Sequence, residues 1–315
     1  MVTVYPYLVS LVWMAWAVLA AMQIAPQLLG EVYILDLLSH FRVHLAWLSL
    51  GLIPLFWWLK RAWAVVLVIL LSVWNLLDIM PVYVSPPQQS VAVGQPLKLL
   101  LSNMLYSNTD TSRLEALIRQ QNPDIVLIQE LNQAHLELMA KLPVYRYQQH
   151  DLFKGAFGIG LWSRLPLAHS EVIALGPAGL PSIYARLNWG GQPLHLLSSH
   201  PLPPLNPQAF ALRNQQFEAI SEFLASKSGS MAVIGDLNVT PWSLHFRRFE
   251  ASTGLRNARN GIGILPSWPT ELPWLLRIPL DHALLSPGLI VKELRLGPDL
   301  GSDHLPLLIT FSRVR

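Results

Sequence analysis

The sequence predicts an α+β domain, built as a two-layer or sandwich arrangement, that follows an N-terminal block of transmembrane helices. The first observation is that residues 1–90 contain three long apolar stretches with very few charged side chains. The second is that, from residue 97 onward, short apolar runs of the kind that form buried strands alternate with a few helical patterns. No internal repeat is visible in either part.

The charge distribution separates the two parts of the chain. Apolar residues make up 52% of the sequence and charged residues 13%, whereas a soluble domain usually carries about 25% charged residues. The charges in residues 1–90 cancel, so the net charge of +3 belongs to residues 91–315. This balance is too mild to indicate a nucleic-acid-binding surface, which needs a concentrated basic stripe.

The three apolar stretches are predicted to be membrane-spanning helices at residues 6–25, 43–59 and 62–80. A spanning helix needs about 20 predominantly apolar residues, and the second stretch meets this length only narrowly. A cleaved signal peptide is an alternative for the first stretch, but residues 1–12 contain no Lys or Arg, which favours a retained helix. A second alternative makes the other two stretches buried core helices.

The positive-inside rule predicts the orientation of the block. Lys60 and Arg61 form the short turn between the second and third spans, so this turn is expected in the cytoplasm. The sequence then predicts a multi-pass protein of a bacterial inner membrane, with a connection at residues 26–42 and a Pro- and Gln-rich linker at residues 81–96. The domain at residues 97–315 is expected on the periplasmic side.

Strands and helices of this domain follow from the apolar periodicity. Helical patterns cover residues 111–121 and 207–227. The predicted strands are 98–104, 124–130, 156–163, 183–189, 193–200, 231–238, 281–286, 291–296 and 304–311.

Polar residues recur where these strands end. A carboxylate directly after an apolar strand is costly unless it is paired or binds a metal. Each such residue, taken singly, is more often a cap or a turn, but the number of them makes coincidence a poor explanation. The residues are Asn103, Glu130, His200, Asp236, Asn238, Asp303 and His304.

Other residues are assigned more ordinary roles. The absence of cysteine excludes disulfides, a thiolate nucleophile and cysteine-bound zinc. His195 is interpreted as structural and Trp242 as a packing residue beside the predicted site. Arg213 and Gln216 are expected at the surface or behind the site.

The motifs LSNM, IVLIQE, GIGLWSR, LSSHPLPP, VIGDLNVTPWS, LDHALLS and GSDHLPL occur in this order over residues 97–313. Together they resemble the endonuclease/exonuclease/phosphatase superfamily, which includes pancreatic-type deoxyribonucleases, abasic-site endonucleases, sphingomyelinases and inositol-polyphosphate phosphatases. The resemblance implies a four-layer α/β-sandwich of the deoxyribonuclease I type. It also implies dependence on Mg²⁺ or Mn²⁺ and in-line attack of water on phosphorus.

The resemblance further implies a role for each strand-end residue. Glu130 would be the main metal ligand, with Asn103 beside it and Asp303 near the metal. Asp236 would orient or deprotonate the attacking water, and Asn238 would bind a phosphate oxygen.

His304, oriented by Asp281, would contact the phosphate and stabilise the transition state. His200 matches a second phosphate-contacting histidine of deoxyribonuclease- and sphingomyelinase-like members. Abasic-site enzymes carry other residues at this position, so His200 counts against that branch.

The layout also resembles bacterial membrane proteins of the vancomycin- and teicoplanin-resistance type, which are thought to act on lipid-linked phosphates. We therefore expect a membrane-anchored phosphoesterase that acts on a phosphate, diphosphate or phosphodiester of a lipid-linked substrate at the outer face of the bilayer. A membrane-tethered nuclease and a non-catalytic membrane scaffold are the two alternatives. The catalytic residues do not separate a lipid substrate from a nucleic acid, since the same metal chemistry serves both.

Overall fold

The computed structural model describes residues 4–84 and 91–314, which form a block of helices packed against a two-sheet sandwich. The block consists of five helices. They are α1 (Val4–Leu28), α2 (Tyr33–Ser39), α3 (Arg42–Leu50), α4 (Ile53–Trp58) and α5 (Ala62–Ile79). The centre of the predicted linker, residues 85–90, lies outside the described residues.

Two helical segments of the described chain are long and apolar enough to cross a membrane, namely Pro6–Leu28 and Ala62–Val82. They correspond to the first and third predicted spans. The second predicted span differs, because a turn at Gly51 and Leu52 divides it into α3 and α4. It reaches spanning length only when it is joined to α2 across a bend of 66°.

A buried polar cluster connects three of these helices. The Gln23 side-chain amide of α1 donates to the Ser49 hydroxyl of α3 over 2.6 Å, and its carbonyl accepts from the Asn75 amide of α5, also over 2.6 Å. Hydrogen bonds of this kind between apolar helices fix their relative rotation, since each buried polar group needs a partner.

The first sheet of the sandwich has six strands in the order β11-β12-β1-β2-β4-β3. Its strands are β1 (Ala92–Asn103), β2 (Ile125–Gln129), β3 (Tyr147–Asp151), β4 (Ile159–Ser163), β11 (Leu289–Leu296) and β12 (Leu307–Val314). The central pair β1 and β2 is parallel, and the other neighbours are antiparallel.

The second sheet also has six strands, in the order β5-β6-β7-β8-β10-β9. Its strands are β5 (Leu167–Ala174), β6 (Pro181–Trp189), β7 (Gln192–Ser199), β8 (Ser230–Asp236), β9 (Arg256–Asn257) and β10 (Asp281–Leu285). Here β7 and β8 form the parallel pair.

The predicted four-layer sandwich is confirmed. The main core lies between the sheets, where side chains such as Leu101 and Leu127 meet Leu196 and Ile234. Two helices cover the outer face of each sheet. They are α6 (Ser112–Gln121) and α7 (Gln133–Ala140) on the first sheet, and α8 (Pro207–Ala225) and α9 (Leu244–Thr253) on the second.

The helical block and the sandwich meet at a buried ion pair. Arg213 of α8 donates from Nη2 to Asp36 Oδ2 over 3.0 Å, and both side chains are completely buried. The Ser243 hydroxyl, at the start of α9, donates to the other Asp36 oxygen over 2.6 Å. Of the two positions expected for Arg213 and Gln216, the surface is wrong, because α8 is covered on this side and both residues are fully buried. The alternative position behind the predicted site agrees with their contacts with the Asn238 carbonyl and the Ser199 hydroxyl.

Closer to solvent, the same interface contains further polar contacts. Arg247 of α9 lies 3.5 Å from Asp78 of α5 and donates to the Gln27 side chain of α1, and Arg248 pairs with Glu31. Gly30 allows the close approach, since a Cβ there would lie 2.9 Å from Leu244 Cβ. The block therefore packs directly on the sandwich.

Asp36→Ala should lower the free energy of unfolding by about 3–5 kcal/mol, because it leaves the Arg213 guanidinium buried without its counter-ion. Glu31→Ala is the matched control, since it removes an ion pair across the same interface whose partners are more than half exposed. That loss should stay within about 1 kcal/mol. Denaturant unfolding of the detergent-solubilised chain measures both, and equal effects would contradict the assignment.

Glu250 of α9 gives a separate expectation for pH. Burial raises its pKa to about 7, although its carboxylate accepts a hydrogen bond of 2.9 Å from the Asn257 backbone N–H. Because the folded chain holds this proton to higher pH than the unfolded chain, its contribution to stability falls as pH rises from the unfolded pKa to about 7.

Glu250→Gln keeps an acceptor oxygen but removes the titration. The variant should gain roughly 2 kcal/mol of stability over the wild type between pH 5 and pH 8. Melting temperatures measured across that range provide the test, and parallel curves for the two proteins would refute the assignment.

Candidate active site

The strand ends that carry the predicted residues meet at one rim of the sandwich. The parallel strands β1 and β2 end at Asn103 and Gln129 in the first sheet, and β7 and β8 end at Ser199 and Asp236 in the second. The antiparallel strand β10 begins at this rim, so that Asp281 lies opposite Asp236. Each predicted residue thus lies on a rigid strand or one to a few residues beyond it.

Gln129 connects the two sheets at this rim. Its amide nitrogen donates to the Ser199 carbonyl over 2.8 Å, and its amide oxygen accepts from the Asp236 backbone N–H over 2.8 Å. Gly235 makes room for this bridge, because a Cβ there would collide with the Ser199 carbonyl oxygen. Gln129 was not among the predicted site residues, and its one signal in the sequence is an amide at the end of an otherwise apolar strand.

Asp236 is the centre of the site. Its Oδ2 lies 3.2 Å from Asn103 Nδ2, 3.4 Å from His200 Nε2 and 3.5 Å from His304 Nε2. Its Oδ1 accepts a hydrogen bond of 2.9 Å from the Asn238 backbone N–H. Two imidazoles and one amide from both sheets therefore converge on a single carboxylate that is 1% exposed.

The imidazole of His304 is held from the other side by Asp281. Its Nδ1 lies 2.8 Å from Asp281 Oδ2, so the carboxylate accepts the Nδ1 proton and leaves Nε2 directed at Asp236. The spacing places His304 between two buried carboxylates, which favours its charged form.

The charges in this group support one another. Burial by itself would raise the pKa of Asp236, but the positive charge of His304 and the hydrogen bond from His200 lower it well below its usual range. Burial by itself would lower the pKa of His304, and the charges of Asp281 and Asp236 instead raise it to about 10. At neutral pH Asp236 is therefore ionised and His304 is protonated.

The Glu130 carboxylate lies beside this group, next to the Asn103 amide. The Asn103 amide donates to Glu130 Oε1 over 3.1 Å, and the other carboxylate oxygen accepts from the Tyr106 backbone N–H over 2.8 Å. Glu130 has a φ of 55°, a left-handed conformation that is unfavourable for a residue with a side chain. Strain of this kind is frequent at functional sites.

The oxygen atoms of the Glu130 carboxylate are ligands of the kind that a hard divalent cation prefers. Among the described residues no group of three or more His, Asp or Glu side chains is arranged to hold a metal. Mg²⁺ does not require such a group, because it keeps several water ligands and binds to one or two carboxylates together with the phosphate of a substrate. One carboxylate, Glu130, matches that demand, and the Asn103 amide beside it directs its nitrogen at Glu130 while its oxygen accepts from the Leu105 backbone N–H over 3.1 Å.

Asp303 and Asn238 occupy the edges of the site. Asp303 accepts a hydrogen bond of 3.1 Å from the Trp268 indole, and the adjacent Ser302 hydroxyl donates to the Asn103 carbonyl over 2.7 Å. Asn238 has a φ of 50° and donates from its amide to the Pro201 carbonyl over 3.0 Å. All the predicted residues lie at this rim, but Asp303 makes no hydrogen bond with Glu130 or Asn103 among the contacts described.

Arg213 joins the site to the helical block. In addition to Asp36 it binds the Asn238 carbonyl, to which its Nη1 donates over 3.1 Å. The turn that follows Asp236 is therefore held by a guanidinium whose counter-ion belongs to α2. Histidine 195, by contrast, lies away from this group and bonds to the Tyr184 hydroxyl over 2.7 Å and to the Ser228 carbonyl over 3.0 Å.

Solved structures with similar folds include zebrafish (D. rerio) TDP2 in complex with a single-strand DNA product, with 19% identity and a TM-score of 0.58 over 70% of this chain and 100% of that one. The human nocturnin catalytic domain with bound sulfate is 20% identical to this chain, with a TM-score of 0.56 over 71% of this chain and 96% of that one. Sphingomyelinase C from Streptomyces griseocarneus is 21% identical, with a TM-score of 0.50 over 69% of this chain and 99% of that one. At these identities the likeness concerns the fold.

No curated protein matches the sequence. A family model does match, over residues 100–304, and its description is the endonuclease/exonuclease/phosphatase family. The matched range contains every residue of the rim described above. The chain belongs to the endonuclease/exonuclease/phosphatase family.

Proposed function

We propose that this protein is a membrane-anchored phosphoesterase that depends on Mg²⁺ or Mn²⁺ and hydrolyses a phosphate, diphosphate or phosphodiester of a lipid-linked substrate. The observation that carries the proposal is the connection from the helical block to the catalytic rim. Asp36 of the block binds Arg213, and Arg213 binds the turn that holds Asn238, two residues from Asp236. A phosphate at the rim is thereby kept close to the bilayer.

Glu130 and Asn103, with Asp303 near them, would hold the metal ion. When bound, such an ion neutralises charge on the phosphoryl oxygens and makes a bound water more acidic. The remaining chemistry belongs to the side chains of the rim.

Asp236 acts on the attacking water. It is ionised at neutral pH, so it can orient the water and accept its proton as the oxygen attacks phosphorus. The bond from phosphorus to the leaving oxygen breaks on the opposite side. Because the carboxylate is held by both sheets, its position does not have to be reorganised when the substrate binds.

His304 and His200 act on the phosphoryl group. The protonated His304 offers a charged N–H to a phosphoryl oxygen, and Asp281 keeps its ring in place. His200 lies on the other side of Asp236, and its Nδ1 has no hydrogen-bond partner among the described residues. The Asn238 amide adds a further donor. Preorganised donors of this kind stabilise the charge that develops in the transition state.

The placement of charges at the ends of the helices supports a site outside the cytoplasm. Lys60 and Arg61 follow α4, whose Phe56 packs with Val12 in the first half of α1. The other ends of α1 and α5 contact the sandwich through Gln27 and Asp78. If both helices span the membrane, the two basic residues lie on the face opposite the catalytic domain, as the positive-inside rule requires for a periplasmic domain.

Hydrolysis by the detergent-solubilised chain tests the substrate class. A panel of a polyprenyl diphosphate, sphingomyelin, a lysophospholipid and plasmid DNA should show turnover of a lipid substrate. Asp236→Ala and His304→Ala should each reduce that turnover by about 10²–10³, since each removes a group that interacts with the reacting atoms.

His195→Ala provides the matched control, because it removes a buried histidine that lies outside the rim. It should keep its turnover per folded molecule. Cleavage of DNA alone, lost in the same two variants, would replace the proposed function with that of a membrane-tethered nuclease. Inactivity of the folded wild type on the whole panel would instead favour the scaffold interpretation.

Removal of divalent ions tests the metal. Treatment with a chelator should abolish turnover, and Mg²⁺ or Mn²⁺ should restore it. Glu130→Gln should raise the Mg²⁺ concentration that gives half-maximal activity by about 10-fold or more, because it removes the negative charge that attracts the ion. Activity of the chelated wild type, or an unchanged Mg²⁺ dependence in the variant, would count against this role of Glu130.

A further inference from the structure

A large apolar cavity lies between the helical block and the sandwich. Its volume is about 650 Å³, which lies within the usual range for small-molecule sites. Its walls come from α3 and α5 on one side, with Trp47 and Val73 among them, and from residues 264–266 and 274–279 of the sandwich on the other. Trp242, from the segment that follows Asp236, also lines it.

The segment that forms the wall of this cavity also forms the wall of the active site. Ser267, next to Pro266 of the cavity, bonds through its backbone carbonyl to the Leu305 N–H, beside His304. Trp268 donates to Asp303 and pairs with Ile278, which itself lines the cavity. Residues 264–280 therefore border both the cavity and the catalytic rim.

The cavity is continuous with an apolar surface at the outside of the protein. Trp274 and Leu275, which line it, are 66% and 59% exposed, and Trp47 of α3 is 67% exposed. Large apolar side chains in such a cluster mark contact with a membrane or a partner. Since five lining residues belong to α5, a candidate spanning helix, the opening faces the hydrocarbon region of the bilayer if α5 spans it.

Two polar groups of the cavity, the Trp242 indole N–H and His44 Nδ1, have no hydrogen-bond partner among the described residues. The indole N–H of Trp242 is buried and forms no hydrogen bond within the described part of the chain. A buried donor without an acceptor is uncommon in folded proteins and suggests that an acceptor arrives with a ligand. The location of Trp242 between the cavity and the turn after Asp236 suits an oxygen at the head of an otherwise apolar molecule.

We propose that this cavity binds the hydrocarbon chain of the lipid substrate while its phosphate occupies the rim of Asp236 and His304. This inference rests on the proposed function and names the part of the protein that recognises the lipid. A chain that moves from the bilayer into the cavity exchanges one apolar environment for another. The cavity therefore contributes little to binding affinity. It selects substrates that carry a hydrocarbon chain and fixes the position of that chain.

Two substitutions on α5 separate this role from a general effect on the helix. Val73→Trp places an indole in the cavity, and Leu70→Trp places the same indole one turn earlier, at a position that is 60% exposed and does not line the cavity. The turnover of hexadecyl phosphate and of the soluble bis(p-nitrophenyl) phosphate is compared in both variants. Val73→Trp should lower kcat/KM for hexadecyl phosphate by about 10-fold or more.

The same variant should leave kcat/KM for the soluble ester unchanged, and Leu70→Trp should leave both unchanged. Equal loss on both esters in Val73→Trp, or no loss on hexadecyl phosphate despite active hydrolysis, would overturn the cavity as the chain site. A folding defect would appear in the melting temperature and in the hydrolysis of the soluble ester.

A binding measurement separates this inference from the proposed function. Hexadecyl phosphate with a diazirine on its chain is photolysed with the wild type and with Asp236→Ala, and the labelled residues are mapped by mass spectrometry. Labels concentrated on Trp242 and residues 264–279, and lost in Val73→Trp, would support the cavity as the chain site. If this labelling is seen but no lipid phosphate is hydrolysed, only the proposed function is rejected. Labels spread evenly over the lipid-facing surface of α1 and α5 would reject the cavity.

Discussion

The buried ion pair between Arg213 and Asp36 fixes the relation between the two parts of this protein. A guanidinium without a counter-ion costs several kcal/mol when it is removed from water, so α8 cannot carry a buried Arg213 unless α2 is docked against it. The reverse holds for Asp36, which is also completely buried. Each part therefore contains a charge that the other part neutralises, so the helical block is a structural partner of the sandwich.

The same arginine extends this constraint to the active site. Its second interaction, with the Asn238 carbonyl, supports a turn in which Asn238 itself has a left-handed conformation. The first residue of that turn region, Asp236, is also a buried carboxylate, and its charge is compensated by Asn103, His200 and His304. Two buried carboxylates, one at the interface and one at the rim, are thus connected through a short series of hydrogen bonds that leaves little freedom to either.

The sequence was informative wherever a local pattern carried the signal. Polar residues at the ends of apolar runs, such as Glu130 after IVLIQ, identified the rim, because the side chain that follows a buried strand must lie at the edge of the sheet. The edge strands β3 and β5 and the helices α7 and α9 were missed, since their mixed polarity resembles that of loops. The second span was predicted as continuous because its hydropathy does not reveal the turn at Gly51.

The ion pair between Arg213 and Asp36 could not be predicted from a local sequence pattern, because the two residues are 177 positions apart in the chain. A weaker sign was present. Arg213 falls on the same helical face as Phe210, Phe217 and Ile220, so a charge lies in the middle of an apolar stripe. A charge in such a position requires a buried partner. Among the few charged residues of positions 1–90, Asp36 is likewise flanked by apolar residues, which marks it as a candidate partner. The few charged residues of the helical block are therefore its most informative ones, since an ionisable group in so apolar a segment needs a counter-charge in the folded chain.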